Sequence, residues 1–310
     1  MFCTNCGRKL DPEDEFCPGC GKKVEKESPG APIPSGVIPK KRKSSKAWAW
    51  AILSLVVICG LALGGYFLWG KGSEGSSLYP VVVNEKWGYI DKTGKIVINP
   101  QFDEAWLFFE GLAPVQVGGK WGYIDKTGKI VINPQFDWAG DFFEGLAWVK
   151  VGDKYGYIDK TGKFVINPQF DWAGDFSEGL APVQVGGKYG YIDKTGKIVI
   201  NPQFDDADYF FEGLAPVEVG RKWGFIDKTV KIAINPQFDD AYNFSEGLAP
   251  VEVGGKWGYI DKTGKIVINP QFDYAGDFHD GLAWVKVGGK DGYIDKTGRY
   301  VWEPTNRWFY

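Results

Sequence analysis

The stretch KWGYIDKTGKIVINPQFDWAGDFFEGLAWVKVG, residues 120–152, decides the fold, because almost the same letters return every 34 residues. The markers of this period are Trp87-Gly88, Trp121-Gly122, Tyr155-Gly156, Tyr189-Gly190, Trp223-Gly224, Trp257-Gly258 and Asp291-Gly292. No insertion interrupts the spacing. Residues 78–310 are therefore predicted to form seven copies of one small structural unit.

Each unit reads as three short antiparallel strands. The alternation in 112–117 predicts a half-buried strand, and Gly118-Gly119 predicts a tight hairpin turn into a second strand at 121–124. In Asp125-Lys126-Thr127-Gly128 the carboxylate is expected to accept backbone amides while the glycine takes the left-handed position. A third strand should stop at Pro134, which has no amide to donate. The unit is thus predicted to be a three-stranded meander.

The connection between units, 135–145, carries Phe136, Ala139 and Phe142 at a spacing of three, which predicts a short helical turn followed by a loop. Isolated three-stranded sheets are barely stable in water, so neighbouring units must stack and share a core. We therefore expect an all-β, solenoid-like array of open superhelical form, with a closed, propeller-like toroid as the alternative. Val230 stands where the other units have glycine, which predicts a distorted turn after Lys228.

The unit resembles the WG (KWG) repeat family, whose core pattern matches residues 120–152 almost letter for letter, and the resemblance extends from Leu78 to about Trp302. The resemblance implies a protein that mediates interactions.

Two Cys-x-x-Cys pairs lie at the N-terminus, Cys3 with Cys6 and Cys17 with Cys20. Four thiolates at this spacing suit one tetrahedral Zn²⁺, whose binding would supply most of the folding free energy of so short a peptide, about 10–16 kcal/mol. Residues 1–26 resemble the minimal zinc ribbons at the N-termini of many bacterial membrane proteins. The metal is expected to be structural, and the ribbon to dock a cytosolic protein partner; the net charge of -3 argues against a nucleic-acid partner.

A candidate membrane span follows the ribbon. Residues 27–46 form a flexible basic linker, and 47–69 contain no charge and have the length needed to cross a lipid bilayer as a helix. The basic residues before this span place the N-terminus in the cytoplasm and the repeats, after a Gly/Ser linker at 70–77, outside the cell membrane. A cleaved secretory signal is the alternative, but the preceding leader is far too long for one.

The repeats do not suggest catalysis. The acids of the unit, such as Asp125, Asp137 and Glu144, recur in nearly every copy, which indicates a role in folding, whereas an enzyme needs one asymmetric site. We expect a non-enzymatic, membrane-anchored protein that presents a binding surface to a protein or a cell-envelope glycan. The alternatives are an extracytoplasmic glycan hydrolase and a transmembrane sensor.

The candidate binding residues are aromatic side chains at positions where the units differ from one another. They are Trp106, Trp138, Trp148, Trp172, Tyr242, Tyr274 and Trp284. Exposed rings among mixed charges along a regular array favour an extended binding surface. The alternative is that these rings only pack neighbouring units together.

Overall fold

The computed structural model describes residues 78–305, so the predicted zinc ribbon (1–26), linkers (27–46 and 70–77) and membrane span (47–69) lie outside the described residues. Within 78–305 there is no helix with the length and apolar character of a membrane span. This part of the chain is built from β-strands joined by turns and short loops.

The strands of the first three sheets are β1 (Tyr79–Val83), β2 (Lys86–Ile90), β3 (Ile96–Phe102), β4 (Glu104–Ala105), β5 (Leu112–Val117), β6 (Lys120–Asp125), β7 (Ile130–Phe136), β8 (Trp138–Ala139), β9 (Leu146–Val151), β10 (Lys154–Asp159) and β11 (Phe164–Phe170). Those of the next two sheets are β12 (Trp172–Ala173), β13 (Leu180–Val185), β14 (Lys188–Asp193), β15 (Ile198–Phe204), β16 (Asp206–Ala207), β17 (Leu214–Val219), β18 (Lys222–Asp227) and β19 (Ile232–Phe238). Those of the last two sheets are β20 (Asp240–Ala241), β21 (Leu248–Val253), β22 (Lys256–Asp261), β23 (Ile266–Phe272), β24 (Tyr274–His279), β25 (Leu282–Val287), β26 (Lys290–Asp295) and β27 (Tyr300–Thr305).

These strands form seven separate antiparallel sheets, one for each sequence unit. The first sheet has the order β1-β2-β3, and each later sheet has four strands in chain order, such as β4-β5-β6-β7 and, last, β24-β25-β26-β27. Among the described strands no sheet closes on itself into a barrel. The all-β repeat array and its meanders are therefore confirmed.

The connection between units differs from the prediction. Instead of a helical turn, β8 adds a fourth strand, in which Trp138 pairs with Lys150 and Ala139 with Val149 of the next unit. The preceding strand also runs past Pro134 to Phe136. It accommodates the proline through a shift in register against β6, which removes the need for an amide at that position. The expected end of the strand at Pro134 was therefore wrong.

The turns follow the glycine pattern. Gly118 and Gly119 have φ angles of 61° and 77°, and Gly128 has φ 85°, all in the left-handed region that favours glycine. Val230 adopts φ 71° at the equivalent place, and its amide donates to the Asp227 carbonyl oxygen at 3.0 Å as in the other units. The predicted distortion is wrong, because hydrogen bonds to the Asp227 carboxylate from Thr229 hold the turn in its usual form.

The core lies between consecutive sheets. In one such layer Tyr123 and Ile132 of the second sheet pack against Val149 and Ile158 of the third, and Phe142 of the connection closes the cluster. Equivalent clusters join each pair of successive sheets. Each sheet therefore depends on its neighbours for burial, as expected for a repeat array.

The outward faces of the first and last sheets have no covering neighbour among the described residues. Tyr293 of the last sheet is 40% exposed, whereas the equivalent Tyr259 one unit earlier is fully buried. Tyr79 of the first sheet is 47% exposed, at the position of the fully buried Ala113. The two end faces thus differ from all the interior ones.

Candidate binding surface

The aspartate that directly follows the last strand of a sheet, such as Asp137 after β7, contacts groups that recur in the repeat. The Asp137 carboxylate accepts a hydrogen bond from Lys120 Nζ at 2.5 Å and another from the Gly152 amide at 2.7 Å. The pKa of Asp137 is lowered by these contacts. The same pair of contacts recurs at Asp103, Asp171, Asp205, Asp239 and Asp273. These acids hold the hairpin of one sheet beside the preceding sheet.

The glutamates of the connections link each sheet to the next one. Glu144 accepts a hydrogen bond from the Gly179 amide at 3.1 Å and forms an ion pair with Lys194 at 2.9 Å. The same contacts with a glycine amide and a lysine of the next sheet recur at Glu110, Glu178, Glu212 and Glu246. The repeated acids are therefore occupied by structural contacts.

The residues that differ between units lie together along one edge of the sheets. We call this the variable edge. It begins with the first strand of each sheet from the second onward, which is β4, β8, β12, β16, β20 or β24, and includes the residues that directly follow the first two positions of that strand. It also includes the residues of the next strand that lie opposite these positions. All seven predicted aromatic binding residues lie on it. Trp138 is 40% exposed, and the other six are half-buried.

The first aromatic segment of the variable edge joins the second to the fourth sheets. Trp106 and Trp138 have ring centroids 6.2 Å apart, and both pack on the fully buried Trp121 at 5.5 and 5.6 Å. Further along, Trp148 contacts Tyr155 at 5.7 Å and Trp172 contacts Tyr189 at 5.7 Å. The rings therefore pack against one another and still offer one side to solvent.

The second aromatic segment lies on the sixth and seventh sheets. Tyr242 stacks on Trp257 at 4.7 Å, Tyr274 lies 6.1 Å from Tyr242, and Trp284 lies 5.1 Å from Tyr274. Lys286 places its ammonium 5.6 Å from the Trp284 ring centroid, a cation–π distance. The sequence could not show that Trp257, which is part of the repeated marker, supports these variable rings.

An acidic segment separates the two aromatic ones. It consists of Asp206, Asp208 and Glu218 on the fifth sheet and Asp240 and Glu252 on the sixth. Burial raises the pKa of Asp208 to about 6, and burial followed by the charges of Glu252, Glu218 and Asp206 raises the pKa of Asp240 to about 6. The five carboxyl groups thus share one electrostatic environment.

Three further aspartates of the same edge point inward. The Oδ1 atoms of Asp141, Asp175 and Asp277 are buried and have no hydrogen-bond partner within the described part of the chain. Burial raises the pKa of Asp175 to about 7, opposed by a hydrogen bond from Trp148. Burial and, less strongly, the charge of Asp175 raise the pKa of Asp141.

These three acids were not among the predicted binding residues. The only signal was that their aligned position also holds Leu107, Tyr209 and Asn243, and so varies as freely as the positions that were chosen. A carboxyl group protonated near neutral pH suits general acid catalysis. Asp141, Asp175 and Asp277 occupy the same position in three different units, and burial raises the pKa of each, so the raised pKa follows from that position in the sheet.

His279 lies with Glu246 and Asp280 at the surface, and one possible ligand atom from each lies within 4.8 Å of the others. Glu246 is already engaged by Lys296 at 2.9 Å and by the Gly281 amide at 3.1 Å. The Lys296 ammonium group at the Glu246 carboxylate competes with a metal ion. We therefore describe His279, Glu246 and Asp280 as part of an ion-paired surface of the last two sheets.

The fold and its variable edge define a class of protein: an array of near-identical antiparallel sheets in which successive units repeat the same hydrogen bonds while the side chains of the edge change. The pattern that defines the WG-containing repeat matches residues 87–121, 121–155, 155–189, 189–223, 223–257 and 257–290. The chain belongs to this family.

A match to one solved structure supports the fold alone. A eukaryotic initiation factor superposes with a TM-score of 0.53 at 12% identity, covering 75% of this chain and 75% of that one. Kluyveromyces lactis Hsv2p gives a TM-score of 0.46 at 8% identity, with 71% and 89% covered, and dihydro-heme d1 dehydrogenase NirN gives 0.45 at 10%, with 74% and 62% covered. No curated protein matches the chain.

Residues 2–24 match a zinc-ribbon domain. Cys3, Cys6, Cys17 and Cys20 all fall within the matched residues, which lie outside the part that the structure describes. Four cysteine thiolates are a donor set that Zn²⁺ prefers, so the residues present fit this metal.

Proposed function

We propose that this protein is a non-enzymatic, membrane-anchored scaffold whose variable edge binds a protein or a cell-envelope glycan outside the cytoplasm. The observation that carries the proposal is the contrast between the repeated acids, which form the same structural bonds in successive units, and the edge, which keeps its backbone pairing while its side chains change. Residues that folding leaves free to vary are the ones available for recognition.

The arrangement of the rings fits such a role. Half-buried aromatic side chains that are fixed by their neighbours present contact area at a low cost in conformational entropy. Trp138 is held by Trp106 and Trp121 and remains 40% exposed. A carbohydrate ring or an extended peptide could lie along several such side chains.

The rest of the architecture is part of the same proposal. Residues 47–69 would form the membrane helix with the N-terminus in the cytoplasm, and residues 1–26 a structural zinc ribbon that docks a cytosolic protein. The exposed end faces, at Tyr79 and Tyr293, support an open superhelical array rather than a closed, propeller-like toroid.

The test is capture of envelope proteins and purified cell-wall glycan by the full chain in detergent micelles, compared with the double variant Trp138→Ser/Trp172→Ser. Other units carry Glu104, Asp206 or Asp240 at the same position, so a polar residue there is compatible with folding. Phe164→Ser is the matched control, because Phe164 is a partly exposed aromatic residue on β11, at the opposite edge of its sheet.

We expect the double variant to lose capture and the control to keep it, with unchanged far-UV circular dichroism in both. Equal capture by all three proteins would mean that these rings serve only packing between units, and the proposal would be abandoned.

A further inference from the structure

The acidic segment sets like charges opposite each other in two successive sheets. Asp206 pairs with Glu218 across β16 and β17, and Asp240 pairs with Glu252 across β20 and β21. The equivalent pairs elsewhere are Glu104 with Gln116, Trp138 with Lys150, Trp172 with Gln184 and Tyr274 with Lys286. Like charges that face each other across a strand pair destabilise a sheet. Folding therefore does not account for the two acidic pairs.

Leaving Lys286 aside, none of the ion pairs formed by lysine and arginine side chains in residues 78–305 involves these four carboxylates. The repeated acids behave oppositely, since Asp137 and Glu144 each hold a lysine. Burial and then the neighbouring charges of Asp206 and Asp205 raise the pKa of Glu218, and the charge of Arg221 opposes them only weakly. The segment therefore carries mutual repulsion that a bound cation would relieve.

Two buried polar atoms near Asp208 have no hydrogen-bond partner among the described residues. Asn243 donates from Nδ2 to Asp208 Oδ2 at 3.1 Å, while its Oδ1 is buried and has no hydrogen-bond partner among the described residues. Asp277 Oδ1 is in the same situation, and the charge of Asp208 acts on Asp277. Both acceptor atoms therefore lack a donor within the described part of the chain.

Aromatic rings stand at both ends of the segment. The pKa of Tyr189 is raised to about 12 by burial and by Asp206. Burial and, more weakly, Asp240 raise the pKa of Tyr242 and of Tyr274. These rings are thus within electrostatic reach of the terminal carboxylates. Carboxylates flanked by aromatic faces are the groups that bind ammonium and guanidinium cations.

The spacing of the carboxylates favours an extended ligand over a single metal ion. Among the described residues, the acidic segment contains no three carboxylates with oxygen atoms within 4.8 Å of one another. A divalent cation bound mainly by protein requires such convergence. Pairs of acids repeated on two successive sheets instead fit a ligand that carries several cationic groups along its length.

We propose that the acidic segment binds a lysine- or arginine-rich segment of a partner protein, laid across the fifth and sixth sheets with its cations between the carboxylates and the flanking rings. This inference rests on the proposed function of the variable edge and names one class of partner for it.

The test is the fluorescence anisotropy of a labelled oligolysine peptide titrated with the full chain in detergent micelles. The test variant is Asp206→Asn/Glu218→Gln/Asp240→Asn/Glu252→Gln. The control is Glu85→Gln/Asp153→Asn/Asp280→Asn/Glu303→Gln, which removes the same number of negative charges from exposed positions outside the acidic segment.

We expect the test variant to weaken binding by at least about tenfold and the control by less than about threefold, with the difference shrinking in high salt. Relief of the like-charge pairs should leave the test variant at least as stable as the parent chain, which urea unfolding checks. A loss of affinity through unfolding is thereby separated from a loss of the site.

Equal weakening by both variants would show attraction to net charge alone and overturn the inference, as would an unchanged affinity in the test variant. Tighter binding of spermine than of oligolysine would assign the segment to a small polyamine and also overturn it. Capture of envelope material that survives in the test variant but not in Trp138→Ser/Trp172→Ser would refute the inference while leaving the proposed function intact.

Discussion

Replacement of Asp175 by asparagine should make the protein more stable at alkaline pH and leave it unchanged in acid. Asp175 Oδ1 is buried without a partner in the described part of the chain, and burial raises the pKa of the carboxyl group to about 7. In the unfolded chain the pKa of an aspartate is about 3.9, so folding raises the pKa of Asp175 from about 3.9 to about 7. This difference corresponds to about 4 kcal/mol of unfolding free energy, at about 1.36 kcal/mol for each pKa unit.

The sign follows from proton binding. The folded state keeps a proton on Asp175 that the unfolded state has already released, so stability is fully present below about pH 4 and is lost as the pH rises through 7. Asparagine resembles the protonated acid in shape and cannot ionise. It also removes the charge that helps to raise the pKa of the neighbouring Asp141. The advantage of Asp175→Asn should therefore grow from near zero at about pH 4 to about 4 kcal/mol, as an upper value, above pH 7.

The assay is urea unfolding followed by far-UV circular dichroism at several pH values for the parent chain, Asp175→Asn and Asp153→Asn. Asp153 lies on an exposed hairpin, so its variant controls for the chemical change itself. An equal effect of Asp175→Asn at acid and alkaline pH, or no effect at alkaline pH, would refute the assignment of a buried, protonated carboxyl group.

Three further predictions concern the repeat framework and the ribbon. Val230→Gly should stabilise the protein by about 1 kcal/mol, measured by its urea midpoint, because φ 71° strains a β-branched residue; a lower midpoint would contradict this. Gly122→Ala should destabilise the second sheet strongly, seen as a lower midpoint, since a Cβ atom would lie 2.4 Å from the Ile132 carbonyl oxygen; an unchanged midpoint would show that the strands can separate freely. We expect elemental analysis to find bound zinc in the parent chain and none in Cys3→Ser, because the tetrahedral site loses one thiolate ligand. Full zinc content in this variant would refute the ligand assignment.

Local chemistry made much of the repeat predictable. Gly118-Gly119 and the turn at Asp125 act over a few neighbouring residues, so their geometry is fixed by glycine conformation and by one carboxylate within reach. The error at the connection has a different origin. The side chains around Trp138 fit either a turn or a strand, and pairing with Val149 and Lys150 of the next unit decided between them.

The candidate surface was predictable only in part. Comparison of the units with one another found Trp138 and the other variable rings, because positions that folding leaves free differ between copies of one motif. It could not find Asp175, since an aspartate in sequence gives no sign of whether its carboxyl group will be hydrated or buried. Burial depends on which side chain of another strand, here Trp148, comes to lie against it.

The sequence by itself determined the number of units, the order of strands within each and the residues of their turns, because these follow from contacts between near neighbours repeated at a fixed period. Only the tertiary structure decided that each short edge strand joins the sheet of the following unit and that five carboxyl groups gather between two aromatic segments. Such features depend on how one sheet packs on the next, and the distances between sheets are set by side chains that are far apart in the chain.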